Sequence, residues 1–269
     1  MPFRVVEPTA EETPVVVEVP HAGLEVPAHL GTPMVTPVRA LARDADLFVD
    51  ELYQDAPAVG ATLLVARTSR YLLDLNRAED DFDAAAVAGA PGAPSRPRGL
   101  VWSLTTDNER ALSRPLTRAE LEERLDEVWR PYHATLARIL ERKRRRFGWA
   151  VLLAAHSMPS VGRMGHGDTG AARADVVPGT QGRTTSCAEL IERVERHARA
   201  AGLELRHDDP YRGCYATKHY GRPALGVHAV QVELARRLYM DERTLRRAAG
   251  FEKTRAWCKG LVAALGEAL

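Results

Sequence analysis

Two histidines close hydrophobic runs in the same way. In VVVEVPHAG, residues 15–23, His21 follows four valines and a proline; in AVLLAAHSMPS, residues 150–160, His156 follows a run of small and apolar residues. If both runs are buried strands, both imidazoles fall at carboxyl ends, where open α/β sheets bind ligands. One histidine so placed is as readily satisfied by loop backbone. Two on neighbouring strands come together, and neutral imidazole is a good zinc ligand. A third protein ligand should then be a carboxylate. RDADLFVDEL, residues 43–52, offers Asp44 and Asp46, with Asp46 preferred, and Glu25 is a weaker alternative. An acid in a first helical turn also complements the helix dipole, which explains one aspartate there better than two.

TSRYLLDLNRAEDD, residues 68–81, gathers Arg70, Asp74, Asn76 and Arg77 around a leucine-rich run. The forked guanidinium of Arg77 suits bidentate capture of a carboxylate, with Asn76 donating beside it. Arg70 could polarise a carbonyl or hold the oxyanion formed from it, and Asp74 anchors the loop. A surface salt-bridge cluster is the plainer reading of the same residues. Late in the chain Gln231 and Glu233 alternate with Val230 and Val232, which puts both polar side chains on one face of a strand. A carboxylate on an otherwise apolar strand needs a partner. That partner is an arginine, or a metal-activated water for which Glu233 is general base. Arg212, Tyr215, Thr217 and Tyr220, in a glycine-punctuated aromatic loop, are candidates for a substrate wall, and Arg212 and Lys218 for a second cation facing an acidic side chain.

These groups need elements to hold them. Val15–Val19, Ala61–Ala66, Ala150–Ala154 and Val227–Val232 read as buried strands. Residues 40–53 carry an apolar stripe of helical period, and 117–147 a longer one that opens on a Thr117–Glu120 capping box and contains Pro131, where a kink or break is expected. Residues 187–201 and 242–269 read as helical, 158–185 as irregular, and 84–97 as a loop that is either a surface connection or a flap. The alternation predicts an α/β fold: a three-layer sandwich with a mixed, largely parallel central sheet, in a single domain spanning 1–269.

The bulk numbers exclude more than they assign. A net charge of +1 gives no field that points to nucleic acid or to a membrane surface, and no apolar run approaches the length of a membrane span. Three cysteines without a CxxC pair suggest neither a disulfide framework nor a cysteine zinc site, so a cytoplasmic location is expected.

Taken together, VPHAG (19–23), DADLFVDELY (44–53), SRYLLDLNR (69–77), EVWRPYH (127–133), AAHSMPS (154–160), PGTQGRTTSC (178–187) and the YRGCYATKHYGRP…VQVELARRLYMDE stretch (211–242) resemble the N-formylglutamate amidohydrolase family. The resemblance covers most of the chain. It implies hydrolysis of an N-formyl or similar N-acyl amino acid, chiefly N-formylglutamate in histidine degradation. The family in turn is similar to zinc carboxypeptidases and aspartoacylase, which implies a phosphorylase/hydrolase-like fold and one zinc ion, or another divalent metal, on His21 and His156. By the same similarity Asn76 and Arg77 would grip a substrate carboxylate, Arg70 would polarise the carbonyl and Glu233 would be the catalytic glutamate. Those distant relatives carry their acidic ligand in H-x-x-E; here that position is Leu24, so the acid must come from elsewhere, from Asp46 or Asp44. A metal-dependent phosphohydrolase and a non-catalytic small-molecule binder are the competing readings. The chain lacks a G-x-x-x-x-G-K phosphate loop, and a mere binder has no need of Glu233.

Overall fold

Valine- and leucine-rich segments that offer no polar face can only be strands covered on both sides, and the central strands are of this kind. The computed structural model describes residues 1–90, 95–163 and 167–269. Its sheet comprises β1 (Phe3–Val6), β2 (Val15–Val19), β3 (Thr62–Ala66), β4 (Ala150–Met158), β5 (Val176–Gly179) and β6 (Val227–Ala235), in the order β1-β3-β2-β4-β6-β5. Strands β2, β4 and β6 run parallel and β5 runs antiparallel to β6. Every residue of β2, β3 and β4 is buried. The mixed, largely parallel sheet flanked by helices is the α/β architecture expected from the alternation.

Register decides which side chains share a face. Glu18 pairs with Ala154, Ala154 with Gln231, and His156 with Glu233. Paired residues of parallel neighbours point the same way, as do residues two apart. Glu18, His156, Gln231 and Glu233 therefore project from one face of the sheet. Two strands extend past their expected ends: β4 continues through His156 to Met158, and β6 through Glu233 to Ala235. A polar residue after an apolar run reads as a strand end in sequence, but the pairing of His156 with Glu233 continues the ladder instead.

The described chain divides into two compact units, Met1–Arg4, Pro20–Leu47 and Val65–Leu136 in one, Val5–Val19, Phe48–Leu64 and Ala137–Leu269 in the other. The expected helix over 40–53 is cut short. Helix α1 (Val38–Asp44) ends before Asp46, and Phe48 adopts a left-handed φ of 66° ahead of α2 (Val49–Leu52). The break frees the Asp46 N–H, which donates to the His21 carbonyl at 3.0 Å. The capping box opens α3 (Arg118–Arg124), where Arg114 and the Thr117 backbone hold the Glu120 carboxyl down to about 2. Pro131 does not stop the helical run. A π-helical turn over Leu125–Trp129 widens the run, ending two residues before the proline, and α4 (Arg130–Phe147) continues it.

Arg124, 1% exposed, donates from Nε to Leu30 O at 3.0 Å, from Nη1 to Leu72 O at 2.8 Å and from Nη2 to Thr32 O at 3.0 Å. Burial lowers its guanidinium to about 10, so it stays charged at neutral pH. Arg124→Met strands three buried carbonyls and is expected to cost about 2–4 kcal/mol of unfolding free energy in a denaturant titration. A cost below about 0.5 kcal/mol would show that those carbonyls find other donors.

In the second unit, α5 (Ala188–Ala200) and α7 (Phe251–Gly266) pack on each other, α5 also on β5 and α7 on β2, while α6 (Tyr215–Tyr220) packs on β4 and β6. Residues 242–250, expected as helix, instead contribute a small hairpin, β7 (Met240–Asp241) with β8 (Arg246–Arg247), because the Asp241 carboxylate takes the Arg243 and Thr244 N–H groups in a turn. The irregular segment 158–185 holds β5, whose Pro178 and Gly179 conceal it in sequence. A proline is tolerated there because β5 is an edge strand. The expected 84–97 loop includes residues 91–94, which lie outside the described residues. On either side of them Asp83 accepts from the Ala85, Ala86 and Arg96 N–H groups. Among the described residues no helix is long and apolar enough to cross a membrane.

Candidate active site

Pro20 ends β2 and turns His21 away from the ladder, while His156 projects from within β4. His21, Asp46 and His156, all buried, each offer a ligand atom, and these atoms lie within 4.8 Å of one another. Among the described residues this is the one group of histidines, cysteines and acids so arranged. Asp44 lies elsewhere. Its oxygens accept from Tyr71 Oη at 2.5 Å, Thr106 Oγ1 at 2.6 Å and Thr106 N at 3.2 Å, which hold its carboxyl below the ordinary value against the opposing effect of burial. Glu25 is exposed and its backbone pairs with Thr68.

The His21 ring is oriented from behind. Nε2 lies 2.7 Å from Asp74 Oδ1, and Nδ1 lies 3.5 Å from Asp46 Oδ2. With the proton on Nε2 shared with Asp74, Nδ1 is left facing Asp46 as the nitrogen that could meet an ion. This is the carboxylate–histidine arrangement that fixes tautomer and basicity of metal ligands. Burial and the Arg70 charge press the imidazole pKa down, but Asp74 and Asp46 outweigh them and leave it above the ordinary 6.5. Asp74 is fully buried and also accepts from Arg70 Nη2 at 2.7 Å, Arg70 Nε at 3.2 Å, Trp102 Nε1 at 3.2 Å and Asn76 N at 3.0 Å. Burial alone would raise its carboxyl; Arg70 and His21 prevail and hold it well below the usual carboxylate range. Arg70 lies over the Trp102 ring, 4.6 Å from its centroid.

Two imidazoles and one carboxylate, with a carboxylate behind one imidazole, form a donor set that suits a divalent ion such as zinc and matches the three protein ligands of catalytic zinc sites. Asn76 is buried beside Asp74, and Arg77 is about one-third exposed, 3.9 Å from Asp81. Glu233, the strand neighbour of His156, accepts from Gln231 Nε2 at 2.9 Å. Tyr211 lies near Glu233: burial first and that carboxylate second push its phenol up to about 12, and Arg173 covers its ring at 5.1 Å. Arg212 and Lys218 are exposed. Tyr215, Thr217 and Tyr220 lie on α6, not in a loop, with Tyr215 stacked on His219 and Thr217 fully buried.

Sequence reasoning passed over Glu18, Trp102 and Tyr211. Glu18 was detectable as the acid inside VVVEV, and burial with the Glu18 charge pushes the Tyr220 phenol well above its usual value. Trp102 carries no local signal, since its role comes from a contact with Asp74 28 residues away.

The largely parallel sheet flanked by helices, with His156 and Glu233 paired within its ladder and the buried His21–Asp46–His156 group, defines an α/β protein with a candidate metal centre. The N-formylglutamate amidohydrolase family model matches residues 13–240, and the chain belongs to that family. It is 35% identical to the N-formylglutamate deformylase of Pseudomonas putida over 85% of this chain and 82% of that protein. It is also 35% identical to the enzyme of the same name from Pseudomonas aeruginosa, over 94% and 92%. The crystal structure of N-formylglutamate amidohydrolase from Ralstonia eutropha JMP134 superposes with a TM-score of 0.87 at 34% identity, covering 97% of this chain and 96% of that one.

Proposed function

We propose that this protein hydrolyses the formyl amide of N-formyl-L-glutamate to formate and L-glutamate, as a cytoplasmic, zinc-dependent deformylase of histidine degradation. The observation that carries the reading is the buried group of His21, Asp46 and His156 beside Glu233, in a chain of this family. Those three side chains would hold the ion, which when bound would supply Lewis acidity and lower the pKa of a water towards ~7. Glu233 takes the proton of the attacking water and returns it to the leaving amine. Arg70, held on Asp74 and Trp102, supplies positive charge for the oxyanion that develops on the formyl oxygen. Arg77 and Asn76 hold the α-carboxylate and so place the amide, with Arg212 or Lys218 meeting the side-chain carboxylate. Tyr215, Thr217 and Tyr220 belong to the wall around it.

Formate release from N-formyl-L-glutamate, compared with N-acetyl- and N-formimino-glutamate and a generic phosphate ester, tests the assignment. Turnover of the formyl substrate that is lost on chelation and restored by zinc is expected; turnover of the phosphate ester alone would overturn it. Arg77→Ala is expected to raise KM about tenfold or more with little change in kcat. An unchanged KM would remove Arg77 from carboxylate binding.

A further inference from the structure

Gln231 is 1% exposed and committed at both ends of its amide. Its Oε1 accepts from the Cys214 N–H at 3.0 Å, and its Nε2 donates to Glu233 Oε1 at 2.9 Å. A backbone N–H can only donate and an ionised carboxylate can only accept, so one orientation of the amide satisfies both partners. The reverse orientation would set donor against donor and acceptor against acceptor.

The N–H that fixes this orientation is itself braced. Gln181 donates from its backbone to Arg212 O at 2.8 Å and from Nε2 to Gly213 O at 2.5 Å. Asp208 takes the Thr180 N–H at 2.7 Å and the Gly182 N–H at 2.6 Å and gives its own N–H to Pro178 O at 2.8 Å. Thr180 Oγ1 lies 2.6 Å from His207 Nε2. Within these two segments Gln181, Gly182, Arg183, Asp208 and Gly213 all have left-handed φ, between 52° and 92°. The three non-glycine positions among them, Gln181, Arg183 and Asp208, do not gather by backbone preference, and held strain of this sort concentrates at functional sites. The contact is also close: a Cβ on Gly179 would lie 2.5 Å from Gly213 N.

We propose that Gln231 is a positioning residue for the Glu233 carboxylate, with the 178–183 and 207–214 segments as the brace that aims its amide. The proposal rests on the reading of Glu233 as general base. Gripping one carboxylate oxygen fixes the plane of the group, so that the base meets the water in a single orientation rather than a rotating set.

The test is a double-mutant cycle on the metal-loaded enzyme, with N-formyl-L-glutamate as substrate. Gln231→Met keeps the length of the side chain and removes its donors. It is expected to lower kcat roughly 10- to 100-fold, the size of one charge-assisted hydrogen bond, at a KM within about twofold of wild type and with unchanged metal content. In a Glu233→Gln background the same substitution should cost less than about twofold, because the group it acts through is gone. Gln181→Ala, which releases the brace without touching the strand, should give a smaller loss of kcat in the same direction and keeps the test open if Gln231→Met folds poorly. Near-wild-type kcat in both variants, or an equal loss with and without Glu233, overturns the proposal. Wild-type turnover by Glu233→Gln itself would instead bring down the base assignment, and this inference with it.

Discussion

Glu233→Gln is expected to lower kcat about 10³-fold while leaving KM and bound metal close to wild type. The size follows from the work assigned to the carboxylate, which must accept a proton from water and deliver it to an amide nitrogen that leaves poorly unprotonated. Glutamine keeps the volume and can still hydrogen-bond, so the sheet around His156 and Gln231 is preserved and the lost chemistry is isolated. Metal content is the control, because Glu233 is not in the His21–Asp46–His156 group. A variant within about tenfold of wild type would place the base elsewhere.

The second large effect is expected at Asp74. Asp74→Asn keeps the shape but removes the charge that His21 and Arg70 share. Loss of a carboxylate behind a ligand histidine typically weakens metal binding 10- to 100-fold, roughly the drop expected in a competitive chelator titration. Because Arg70 would keep a nearly buried charge without its acid, unfolding should also become easier by about 3–5 kcal/mol. Metal affinity unchanged alongside lowered stability would make Asp74 a purely structural anchor.

The same cluster sets a pH dependence with two opposite senses. The depressed Asp74 carboxyl stabilises the fold fully above its unfolded value near 3.8, and that contribution is lost as pH falls through its lower folded value. The raised His21 pKa works the other way in the metal-free protein: its contribution is complete below 6.5 and fades as pH rises through the folded value. Metal uptake needs the neutral ring, so protons compete with the ion. The increase in Tm produced by zinc should therefore grow as pH rises through and above 6.5; an increase independent of pH would mean that His21 is not a ligand.

The central strands were legible because burial on both faces leaves an apolar run with no periodicity to misread, and Val15–Val19 matches its expected bounds. Strand ends were less legible, since His156 and Glu233 are paired ladder residues that look like terminators in one dimension. The site followed a similar pattern. His21, His156 and the Gln231–Glu233 alternation announced themselves by polarity in apolar surroundings. The choice between Asp44 and Asp46 depended on a helix break at Phe48 and on Tyr71 and Thr106, which reach Asp44 from 27 and 62 residues away. No spacing rule encodes such contacts. Asp74 was visible as a loop anchor, but its place behind His21 is a contact across 53 residues.

The claim on which the rest depends is that His21, Asp46 and His156 bind a single divalent ion, and elemental analysis of purified protein tests it most directly. The account expects about one zinc or equivalent ion per chain. Asp46→Ala should lose that ion, and Asp44→Ala, which touches Thr106 and Tyr71 rather than the imidazoles, should retain it. Metal-free wild-type protein that takes up no ion on zinc addition, or an Asp46→Ala variant that holds metal as tightly as wild type, would contradict it.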